Sequence, residues 1–176
     1  VASRQTSLTT PAVRSLAIGR SQWRTFESMP VTLRRRFGLA SGGRAATRFG
    51  DGRLVEGAGH GAPNIVVHQP AVPVPSVGGL YEPGLGVTGQ ADQRAVQERT
   101  DVLCFTTDPL TADVELFGTA RVSLALDSEA PTNDACVTLC TVAPDGATVN
   151  IAFGAARGAG RLTFDLSPTH AVVPSG

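Results

Sequence analysis

A mostly β chain arranged as a β-sandwich is what the sequence predicts, on three observations. After Asp92, short runs rich in Val, Leu, Phe, Thr and Cys recur between turn residues, at 102–106, 114–117, 120–126, 135–142, 149–153 and 162–166. Within one of them Val122, Leu124 and Leu126 alternate with Arg121, Ser123, Ala125 and Asp127, the period-two pattern of a strand with one buried face. Between two of them stands Pro144-Asp145-Gly146, a hairpin-type turn whose glycine can take positive φ. Many strands at regular spacing indicate a sandwich.

The preceding residues punctuate the chain differently. Residues 13–18 (Val-Arg-Ser-Leu-Ala-Ile) read as a short strand turned at Gly19 and followed by an exposed segment containing Trp23. Between 33 and 55, Gly42-Gly43 and Gly50-Asp51-Gly52 leave room only for short strands at 37–40 and 46–49. From 56 to 90 the chain is rich in Gly and Pro; Pro70, Pro73 and Pro75 fix φ and extend their predecessors, so a long, ordered, irregular strap is expected. A loop of that length calls for a functional or packing role. One helical segment is expected, a short one at 91–98.

Composition narrows the function classes. Formal charge is zero at 15 basic against 15 acidic residues, which gives no electrostatic footprint for nucleic acid. Every basic residue is Arg, a compositional bias that carries no mechanism. No apolar run approaches the length that crosses a bilayer, and no signal-peptide order opens the chain, so a soluble, cytoplasmic protein is expected. Cys104, Cys136 and Cys140 have no metal-ligand spacing, and no metal or cofactor is expected. The chain starts at Val1 and its pattern stops unfinished at Gly176, so it is expected to be a piece of a longer protein.

Several motifs carry a family resemblance. Gln69-Pro70-Ala71-Val72-Pro73-Val74-Pro75-Ser76-Val77-Gly78-Gly79, then Gly89-Gln90-Ala91-Asp92-Gln93-Arg94, then Arg99-Thr100-Asp101-Val102-Leu103 follow one another in order. With Val13 to Gly19 and Trp23-Arg24 upstream, and Val142-Ala143-Pro144-Asp145-Gly146 downstream, the chain resembles the CocE/NonD serine hydrolases, a family of esterases and X-Pro dipeptidyl-peptidases. The resemblance covers nearly the whole chain. Met29, Gln69 and Ala135 depart from the family pattern, and after Arg157 the segment Gly158-Ala159-Gly160 stands in place of an additional arm.

That resemblance implies a jelly-roll, galactose-binding-like sandwich over residues 33–176, missing its last strands, and a segment 1–32 that leaves an absent α/β-hydrolase domain. An unpaired sheet edge left by missing strands would make the fragment alone poorly soluble or oligomeric. It implies no catalytic residue here, since no G-x-S-x-G elbow is present, and it makes Trp23, Pro73, Pro75, Gly78 and Gly79 the candidate domain-interface residues. The partner it implies is the parent's hydrolase domain, with room for a homodimer and with neither nucleic acid nor membrane.

Other side chains have plain structural readings. His60, His68 and His170 are read as loop or surface residues, none beside a nucleophile, with His170 in a turn after Pro168. Asp127, Asp134 and Asp145 are read as turn formers rather than calcium ligands, Cys136 and Cys140 as core residues on one strand face, and the Arg34 to Arg36 run as exposed charge. Two alternatives stand beside the supporting-domain reading: an independent lectin-like module, disfavoured by a single Trp and a single Tyr, and a decayed gene remnant.

Overall fold

A computed structural model describes residues 13–79 and 88–176; Tyr81 and part of the strap lie outside the described residues. The architecture is mostly β, a sandwich of small antiparallel sheets and not a closed barrel. Strand β1 (Val13–Ala17) turns at Gly19, at φ 90°, into β2 (Gln22–Phe26), so the exposed segment that carries Trp23 is the second arm of a hairpin. The chain continues through β3 (Phe37–Gly42), β4 (Arg53–Glu56), β5 (Gly61–Ala62) and a single helical turn, α1 (Arg94–Gln97). It then adds β6 (Val114–Gly118), β7 (Arg121–Leu126), β8 (Asn133–Val142), β9 (Thr148–Gly158), β10 (Gly160–Asp165) and β11 (Thr169–Val173).

The longest pairing is β8 with β9, closed by the turn read from Pro144-Asp145-Gly146. Ala143 N–H donates to Ala147 O at 2.8 Å, the Asp145 carboxylate accepts from Ala147 N–H at 2.9 Å, and Gly146 takes φ 80°. β7 pairs with β10, and Arg121 opposite Asp165 forms a two-pronged ion pair on the solvent side, while Leu162 is buried on the other. β6 pairs with β11, and the hairpin extends that sheet: Ile18 N–H donates to His170 O at 2.9 Å and Val172 N–H to Ile18 O at 3.0 Å.

Four expectations change. Residues 46–49 form a turn, because Thr47 sits at φ 64° and Gly50 folds the chain back; only Ala46 bridges to Leu103. Residues 102–106 likewise make isolated bridges, Leu103 to Ala46 and Thr106 to Arg53, instead of a strand. β4, only four residues between Gly52 and Gly57, was not expected. Nor was β11: Pro168 and Pro174 frame a true strand whose His170, Ala171 and Val172 are buried, so His170 belongs to the interior and not to a turn.

The thiols also divide. At the irregularity in the ladder Leu139 pairs with Ala152 and Cys140 with Asn150, so the extra residue, Ile151, lies on β9. Cys136 is exposed, contrary to the core reading, whereas burial pushes the Cys140 thiol up to about 12, with Cys104 adding to the rise.

The buried apolar set is built largely from small residues: Ala17, Ala40, Ala45, Ala152 and Ala171, with Ile151, Leu162, Leu166 and Val172. Among the described residues no large side chain is wholly enclosed.

Candidate interdomain interface

The strap motif and the Gly-Gln-Ala-Asp-Gln motif, separated in sequence, meet on β9. Gly79 N–H donates to Gly89 O at 2.7 Å and Gly89 N–H returns to Gly79 O at 2.8 Å, pinching the chain into a neck. Two buried amides of opposite origin hold it. Asn150, on β9, accepts from Ala91 N–H at 2.7 Å and donates to Gly89 O at 3.1 Å. Gln93 donates to Val77 O at 2.8 Å, while its own N–H donates to Thr148 O at 2.8 Å. Backbone groups that the strap cannot pair within itself are thus satisfied by side chains, the usual condition for keeping irregular backbone against a core.

The glycines of the neck have a steric reason. Gly78 takes φ 72°, and a Cβ there would lie 2.6 Å from Gly89 O; Gly79 takes φ 105°. Gly57 also takes positive φ, 92°, but no atom lies within 4 Å of its absent Cβ. Gly78→Ala is therefore expected to cost about 2–3 kcal/mol, adding overlap to the left-handed backbone cost, and Gly57→Ala only about 1 kcal/mol. Urea unfolding of both variants checks this; equal losses would remove the argument for the neck.

Farther up the strap, Arg99 Nη2 donates to Val72 O at 2.8 Å while the same guanidinium grips the Asp101 carboxylate at 2.6 and 2.8 Å. Pro73 and Pro75 lie on this exposed, extended stretch. The Arg99 guanidinium holds the Asp101 carboxyl below its ordinary 3.8, and Asp92, Asp134 and Asp165 are lowered in the same way by Arg94, Arg157 and Arg121. A carboxyl lowered in the folded state contributes stability that is complete above its unfolded value and lost as pH falls through the folded one. Stability is expected to be flat above about pH 5 and to fall below about pH 4, read from thermal melts; a protein that gains stability on acidification would contradict these pairs.

Trp23 sits on a separate element. The outer face of the hairpin carries Arg14, Leu16, Trp23 and Thr25, with Leu16 opposite Trp23 and the Arg14 guanidinium 4.5 Å from the ring centroid. Trp23 remains 55% exposed. The structure therefore brings Gly78 and Gly79 together with Asn150 and Gln93, leaves Pro73 and Pro75 on the strap, and places Trp23 on the hairpin. Sequence reasoning missed Asn150, whose only signal is a polar residue inside an apolar strand run.

It also missed the surroundings of His170. Nδ1 faces Ser15 Oγ at 3.0 Å and Nε2 faces Glu115 Oε1 at 2.8 Å, which places His170 beside a hydroxyl after all. Ser15 lies in mid-strand opposite Arg24, not on a strand-to-helix elbow, and Ile18 N–H is committed to His170 O. Phe26 and Phe117 cover the ring, their own centroids 5.5 Å apart. This geometry joins three strands, β1, β6 and β11, and an ion pair between Arg20 and Asp113 reinforces the junction. His60 and His68 are exposed in irregular segments. Among the described residues no three His, Cys, Asp or Glu side chains group as metal ligands; Asp134 pairs with Arg157 and Asp145 caps its turn.

Comparison with known proteins fits this arrangement. Residues 7–176 match the X-Pro dipeptidyl-peptidase C-terminal non-catalytic domain. The cocaine esterase of Rhodococcus sp. (strain MB1 Bresler) is 36% identical over 162 residues, 90% of this chain but 28% of that relative's length. The chain thus spans little more than a quarter of the length of the curated relative it matches. With strap, neck and hairpin all inside the matched residues, the chain belongs to the X-Pro dipeptidyl-peptidase C-terminal non-catalytic domain family.

Proposed function

We propose that this domain packs against the α/β-hydrolase domain of a parent serine hydrolase, walls part of its acyl- or peptide-binding cleft and stabilises it. The parent cleaves ester or Xaa-Pro amide bonds by an acyl-enzyme route, with nucleophile, base and oxyanion hole on the other domain. The observation that carries this reading is the outer hairpin face, where Trp23, 55% exposed, stands directly opposite the exposed Leu16. A half-exposed aromatic backed by a rigid hairpin is the kind of anchor that interfaces use.

Deleting residues 13–176 from the parent enzyme tests it. The remaining hydrolase is expected to lose activity on warming faster than the parent, and to recover when the domain is supplied in trans. A hydrolase domain with unchanged kinetics and unchanged thermal half-life would refute the proposal.

A further inference from the structure

We infer that two extended segments flanking the β3–β4–β5 sheet, around Val31 and around Ile65, form a second seat for the catalytic domain, distinct from the hairpin face and from the proline run of the strap at 69–79. Met29, Val31 and Leu33 alternate along the first segment and are 65, 98 and 94% exposed; Ile65 and Val67 on the second are 86 and 70% exposed. Among the described residues the backbone of 29–35 and 65–68 makes no backbone–backbone hydrogen bond. Both segments are nevertheless held at one end. Arg36 O accepts from Gly57 N–H at 2.8 Å, and Asn64 Oδ1 accepts from Ala45 N–H at 2.7 Å and from the Ser41 hydroxyl at 3.0 Å.

Five aliphatic side chains presented on fixed, unpaired backbone are costly to leave in water, and such patches mark interaction surfaces. The period-two spacing of Met29, Val31 and Leu33 gives an extended stretch one apolar side, while its free backbone groups can pair with an incoming partner. The occupant is the catalytic domain of the same polypeptide. The matching family is described as the C-terminal non-catalytic domain of a peptidase, and the chain covers 28% of its relative's length, which leaves the catalytic part of such an enzyme as the body to be seated. The first segment follows the hairpin directly, so a body resting on the outer hairpin face is carried next to it. This inference rests on the proposed function but names residues which that reading does not use.

The test is made in the full-length parent enzyme with Val31→Asp plus Leu33→Asp, and separately with Ile65→Asp. These side chains are exposed within the domain, so its own fold is unaffected, and the milder Val31→Ser checks for a graded response. The expected result is a roughly tenfold or greater loss in the half-life of hydrolase activity at a fixed elevated temperature, as burial of two aliphatic groups is lost, with faster hydrogen exchange over 29–35. A parent with unchanged half-life and exchange would overturn the inference. So would conversion of a dimer to a monomer with exchange at the domain contact unchanged, since the occupant would then be a second copy. Trp23→Ala separates the two levels: if it loosens the domains and the Val31 and Leu33 changes do not, the second seat falls while the proposed function stands.

Discussion

Replacing His170 by Ala is expected to free the β1–β2 hairpin from the sandwich and to lower stability by about 3–4 kcal/mol. The imidazole is buried between Ser15 and Glu115 and packs edge-on against Phe117, with ring centroids 4.9 Å apart. Removing it leaves a cavity beside Phe26 and two polar groups without their partner. His170→Phe keeps the ring contacts and removes only the hydrogen bonds, so its loss should be smaller, about 1–2 kcal/mol. Hydrogen exchange over 13–26 and the emission of Trp23, the sole tryptophan, report on the hairpin directly. A His170→Ala protein that loses stability without loosening the hairpin would show that the ring supports β6 and β11 alone.

Asn150→Leu carries the second large effect. The side chain is nearly the same size, but Ala91 N–H loses its acceptor while Gly89 O keeps only the Gly79 N–H, in a site where Asn150 is 6% exposed. Leaving that one donor without a partner beside the buried site costs about 1–3 kcal/mol, so a loss of about 2 kcal/mol is expected. The neck between Gly79 and Gly89 should open, and proteolysis should move to the strap. If cleavage remains where it is in the unaltered protein, the reciprocal glycine bonds hold the neck without Asn150.

What the sequence made legible follows a physical division. Strands with their own alternation, such as Arg121 to Leu126, and turns with their own chemistry, such as Pro144-Asp145-Gly146, announce themselves because the information is local. β11 does not, because Thr169 to Val173 sits between prolines and becomes a strand through pairing with β6 and Ile18. The 46–49 and 102–106 segments look like strands yet serve as struts, each contributing isolated bridges around the turn at Thr47. Gly78 and Gly79 stand out in the strap motif, and their positive φ gives a reason for glycine there. The Asn150–Gln93 pair and the Ser15–His170–Glu115 clamp depend on tertiary contacts between residues far apart in the chain, which no spacing reveals. The spacing of Cys136 and Cys140 suits one strand face, yet only Cys140 is covered, because what packs over each end of β8 is set by tertiary contacts that spacing does not carry.

Labelling with a fluorophosphonate tests the central claim, that this chain supports catalysis without performing it. Applied to the full-length parent and followed by peptide mapping, the probe is expected to modify one serine outside residues 1–176, and to leave Ser15 and every other serine of this domain unlabelled. Stoichiometric labelling within this domain, at Ser15 beside His170 above all, would contradict the account and make the clamp a reactive site.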